Sequence, residues 1–146
     1  MTEATAYREL GAWILSHELA LLKDDATEAT AAAAERACRR FYGRLRPLVT
    51  LPGSQAFLSR SLHLAAREHP FLVNVRAGSS EEECLQGLDH ALNDIDPASA
   101  AAAFITVLSH MIALLVTFIG HDLTMHAIRE VWPDACTSRP AEGEMT

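Results

Sequence analysis

Between Phe104 and His126 runs FITVLSHMIALLVTFIGHDLTMH, the most apolar part of the chain, and it carries three histidines and three threonines. Thr106, His110, Thr117, His121 and Thr124 fall on neighbouring helical positions and draw a polar line through it. Buried hydroxyls and imidazoles need hydrogen-bond partners, so such a line is met either by facing helices or by a ligand or water. His110, Thr117, His121 and Thr124 are therefore the candidate lining of a small-molecule or cofactor pocket. The alternative is packing, with each threonine bonding back to its own helix. No metal is expected, because His110 and His121 stand roughly 16 Å apart at the helical rise. Neither HExxH, nor the repeated ExxH of di-iron bundles, nor a Gly-rich phosphate loop occurs, so no cofactor is expected. Asp122 with His126, and His90 with Asp94, have the four-residue spacing of surface ion pairs.

A second constellation is cationic. Arg36, Arg39, Arg40, Arg44 and Arg46 supply five of the twelve basic residues within one short segment. Arg36, Arg40 and Arg44 share a helix face, and with Arg39 they form a row that suits a carboxylate or phosphate from a partner. The competing reading is a solvated face paired with acids of a neighbouring helix or subunit.

A third lies at Ser16, His17, Glu18 and Leu19, in LSHELALLKDD. These four residues resemble the start of the phosphoacceptor H-box of sensor histidine kinases; where that family continues with Arg-Thr-Pro, this chain has Ala20, Leu21 and Leu22. The resemblance implies a dimeric helical hairpin in which His17 takes a phosphoryl group with Glu18 assisting. It implies a phosphotransfer or adaptor module rather than a self-phosphorylating enzyme.

The elements that must position these groups are set by the pattern of apolar residues. The chain has 146 residues, enough for one domain with one core. A net charge of −7 and a pI near 5.4 argue against nucleic-acid binding, which needs a basic surface. Cys38, Cys84 and Cys136 are odd in number and far apart, so neither a disulfide framework nor a zinc knuckle is expected. With no basic, apolar leader at MTEATAYREL, a cytoplasmic setting is the expectation.

Apolar spacings of three and four predict an all-α fold, a helical bundle of five to six helices with a long C-terminal apolar helix. A first helix is expected over 4–23 and a second from a capping box at Asp25 and Glu28 to Arg46, before Pro47. PLVTLPG reads as a loop whose apolar members tuck inward, and Ser54 as the N-cap of a third helix ending at His69. Residues 71–75 read as a connector or one helical turn. Ser80 and Glu83 would open a fourth helix with Cys84, Leu88, Ala91 and Ile95 facing in.

Asp96 and Pro97 open the longest helix, whose apolar run raises the question of a membrane. Its polar residues and the lack of basic flanks argue against insertion. Val107, Met111, Leu114, Phe118, His121, Met125, Ile128 and Trp132 form a heptad seam that crosses Gly120 in phase, which predicts a helix over 97–132, continuous or kinked there. One domain over 1–133 and a disordered tail over 134–146 complete the expectation. The sequence points away from an enzyme and toward a regulatory or signalling protein that binds itself, as a homo-oligomer, and another protein. Phosphotransfer through His17 and a pocket at His110 and His121 are the alternatives.

Overall fold

The computed structural model describes residues 3–22, 27–78 and 83–135. It is an all-α bundle: α1 Glu3–Leu22, α2 Thr27–Leu45, α3 Leu51–Ala66, a 3-10 turn Pro70–Asn74, a two-residue strand pair, α4 Leu88–Ala91, the long apolar α5 Pro97–Ile119 and α6 His121–Val131. α5 lies at the centre, against α1, α3, α2 and α6. Its inner face is Ala100, Ala103, Phe104, Val107, Leu108, Met111, Ile112 and Leu115. Gly11 lets α1 approach closely, since a Cβ there would lie 3.2 Å from Ile105 O and 3.3 Å from Leu108 Cβ of α5. Among the described residues α5 is the one helix long and apolar enough to cross a membrane, and 44% of its most apolar window is buried against protein.

The start of α5 matches the sequence expectation. Asp96 accepts from the Ser99 backbone N–H at 3.1 Å and from its hydroxyl at 2.7 Å, and Pro97 occupies the first turn. α3 begins earlier than expected. Thr50, not Ser54, is the N-cap, its hydroxyl accepting from Gly53 N at 3.2 Å with Pro52 in the first turn. Ser54 is instead a buried helical residue.

The helix expected over 80–95 does not form over its described part, 83–95, beyond the one turn of α4. Ser80 and the start of that capping box lie outside the described residues. Beyond them, Leu85–Gln86 pairs antiparallel with Arg76–Ala77, and the Glu35 carboxylate of α2 accepts from Cys84 N at 2.8 Å and Leu85 N at 3.0 Å. A side chain fifty residues away thus takes the N–H groups that a helix would have paired locally. Gly87, at φ 86° and ψ 9°, then sits in the left-handed region and restricts α4 to one turn. The capping box at Asp25 likewise lies outside the described residues, as does the expected tail from Cys136 onward.

The long C-terminal helix is two helices. Gly120 takes φ 94° and ψ 160°, a conformation open to glycine alone, and α6 starts at the next residue. This break corrects the heptad reading: Met125, Ile128 and Trp132 are buried, but Phe118 on the same seam is 64% exposed. Replacing Gly120 by alanine tests the break. A Cβ there meets no atom within 4 Å, so the cost is backbone strain alone, about 1–3 kcal/mol. Gly43→Ala, within α2 and equally open, should instead gain roughly 0.5–1 kcal/mol. Urea midpoints of the two variants should move in opposite directions.

Candidate functional site

The most concentrated polar chemistry surrounds Glu18. On α1, Leu10, Ile14 and Glu18 succeed one another at four-residue steps, so the carboxylate enters the core beneath an apolar stripe and is fully buried. There Oε1 accepts from Arg36 Nε at 2.7 Å, and Oε2 accepts from Arg40 Nη1 and from the Trp132 indole Nε1 at 2.7 Å. Arg40 spends its other nitrogen on the Val131 carbonyl at 3.1 Å, closing the last turn of α6, and lies 5.8 Å from the Trp132 ring centroid. Phe41 meets the same indole edge-on at 5.9 Å. One carboxylate therefore joins α1, α2 and α6. A buried carboxylate is costly unless it accepts hydrogen bonds, and here three donors, one on Oε1 and two on Oε2, supply them.

This placement decides what the expected residues can do. The acid expected to assist His17 is turned inward, both oxygens occupied, while the His17 ring stacks on Trp13 at 4.8 Å on the half-buried side of α1. Of the arginine row, Arg36 and Arg40 are held by Glu18, and Arg44 pairs with Glu130 at 3.1 Å. Arg39 projects into solvent. Three of the four are thus paired with acids of neighbouring helices while staying partly exposed, and they do not present a cleft for an anion.

The polar line of α5 and α6 is divided in the same way. Thr106, Thr117 and Thr124 each donate to the carbonyl four residues back, Ala102, Ala113 and Gly120, at 3.0, 3.0 and 2.8 Å. Thr106 also meets His69 Nε2 at 3.2 Å. His110 faces Glu68 at 3.9 Å, and His121 Nδ1 stands 3.6 Å from Asp122, beyond hydrogen-bond length. His126 pairs with Glu130 at 3.6 Å rather than with Asp122. Thr117 is exposed and Thr124 buried, so these residues do not converge on one cavity. Among the described residues no group of three or more metal-ligating side chains gathers.

A concave surface lies elsewhere. A groove of about 520 Å³ opens between the start of α3 and the end of α5, lined by Leu48, Val49, Gly53, Ala56, Phe57, Leu114 and Phe118, with Thr50 and Arg60 completing it. Phe57 and Phe118 meet edge to face at 5.2 Å and form one wall. Leu48, expected to tuck inward, is 41% exposed at the mouth because the turn after α2 buries Val49 in its place. Sequence reasoning missed this groove. Its signal was the PLVTLPG segment, too apolar for an ordinary surface loop.

Two measurements test these assignments. Glu18→Gln keeps the volume but removes the charge that two guanidinium groups share; because both arginines remain partly hydrated, the expected loss is about 1–3 kcal/mol in urea unfolding. For His110, burial holds the imidazole below its usual 6.5, against the opposing pull of Glu68. The folded chain resists a proton that the unfolded chain accepts. Stability contributed by neutral His110 is thus present above pH 6.5 and lost as pH falls through its lower folded value. His110→Gln should flatten the decline of the urea midpoint below pH 6.5 relative to wild type.

The chain matches no protein-family model, and comparison with curated proteins and with solved structures returns no match.

Proposed function

We propose that this chain is a non-catalytic helical module that works by binding protein, in a cytoplasmic regulatory or signalling role, with self-association as one form of that binding. The observation that carries the reading is the α3–α5 groove, where Phe118 and Leu48 remain 64% and 41% exposed beside a concave apolar floor. Exposed aromatic side chains next to an open apolar channel are costly in water and supply the anchors that interfaces use. The volume lies in the range of specific binding sites, and the opening between two helices suits an apolar helix face. Catalysis draws no comparable support. Glu18 is saturated by its donors, the threonines satisfy themselves, and no free acid or base stands beside His17 among the described residues.

A photo-crosslinking amino acid at position 118, compared with one at exposed Asn93, tests this in the cells that make the protein. The expected result is a discrete adduct at 118 and none at 93. A self-adduct identifies the homo-oligomer. An adduct with another protein should be reproduced with the purified pair, and Phe118→Ser should weaken that binding roughly tenfold or more with the fold retained. No adduct at 118 above the level at 93 overturns the proposal.

A further inference from the structure

Charge is distributed unevenly along the chain in a way that bears on what the groove accepts. From Arg36 to Arg67 there are seven arginines and not one aspartate or glutamate, in a protein whose net charge is −7. Arg36, Arg40 and Arg44 are paired with acids, the first two sharing the buried carboxylate of Glu18 and the third meeting Glu130 at the surface. Arg60 is not: it lines the groove and makes no ion pair or hydrogen bond among the described residues. Arg67 follows it seven residues on, exposed on the same face of α3. An apolar channel is thus edged by Arg60, with Arg67 further along the same face of α3, in a protein of net charge −7.

Resting on the protein-binding reading above, we propose that the α3–α5 groove receives an amphipathic helix of another protein, with apolar anchors on one face and carboxylates on its flank. The anchors lie between Leu48 and Phe118, against Phe57 and Leu114, and the carboxylates meet Arg60 and the α3 cations. A second copy of this chain docking the same face symmetrically would bring like-charged borders together, which disfavours it. A lipid surface shares the apolar and cationic chemistry. The apolar residues here, however, line a concavity between two helices, whereas membrane-surface helices present a convex apolar face.

Two synthetic helices with identical leucine anchors, one flanked by glutamates and the other by lysines, separate these possibilities by fluorescence anisotropy with the full chain. The glutamate peptide should bind roughly tenfold or more tighter at low salt, and the margin should shrink as salt screens it. Arg60→Glu should reverse the preference, and Phe118→Ser should weaken both peptides. Equal binding, a preference for the lysine peptide, or binding of neither overturns the proposal. So does tight binding to phosphatidylserine vesicles that the glutamate peptide does not displace. If the residue-118 adduct forms with a partner whose docking helix is flanked by basic residues, protein binding stands and the acidic chemistry alone fails.

Discussion

A carboxylate without access to water must be surrounded by donors, and at Glu18 this requirement organises the molecule. Its donors come from Arg36 and Arg40 on α2 and from Trp132 just beyond α6, residues distant in sequence that can meet only if the C-terminal part of α1, the middle of α2 and the end of α6 converge. Hydrophobic contact is non-directional and tolerates sliding of one helix along another. Three hydrogen bonds to one carboxylate do not. The cluster thereby fixes register, while the alanines, leucines and aromatic residues around it supply most of the driving force. Arg40 adds a second constraint by holding the Val131 carbonyl, so the end of α6 is capped by the same group that fills Glu18.

The groove results from that convergence. To bring Trp132 to Glu18, the chain must turn after α5, and Gly120 provides the turn in a conformation only glycine accepts readily. α6 then packs against α2, and the last turn of α5 is left partly uncovered. Phe118, two residues before the break, faces outward and finds Phe57 of α3 as its one aromatic contact among the described residues. The interior polar cluster and the exposed apolar surface are two results of one change of direction.

Much of this architecture was legible. The three- and four-residue spacings identified an all-α bundle, and the Asp96–Pro97 pair placed the start of α5 because both capping interactions are local. What could not be read depends on distant partners. Glu18 sat in a short resemblance to a phosphoacceptor motif, and nothing near it in sequence tells that its donors lie 18, 22 and 114 residues away. The capping pattern at Ser80 and Glu83 pointed to a helix, yet Glu35 and Gly87 imposed a strand pair and a single turn. The heptad seam kept its phase through Gly120 and left a continuous helix and a kink there both open; the structure takes the break, and what periodicity did not show is that Phe118 ends up outside. Of the candidate site, the residue types were recognised and the alternatives for the arginine row were both open: pairing with acids of neighbouring helices is what Arg36, Arg40 and Arg44 make, and only the distant acids that do it could not be named.

Amide and indole hydrogen exchange, monitored by nuclear magnetic resonance, tests the convergence most directly, because the chain has two tryptophans in different settings. The Trp132 Nε1–H donates to a fully buried carboxylate, whereas Trp13 is half-buried on α1 beside His17. The account predicts that the Trp132 indole proton exchanges only on global unfolding, with a protection free energy equal to that from urea unfolding, while the Trp13 indole proton exchanges far faster. Equal and rapid exchange of both indoles would contradict it, because Glu18 would then not be the sealed junction of α1, α2 and α6.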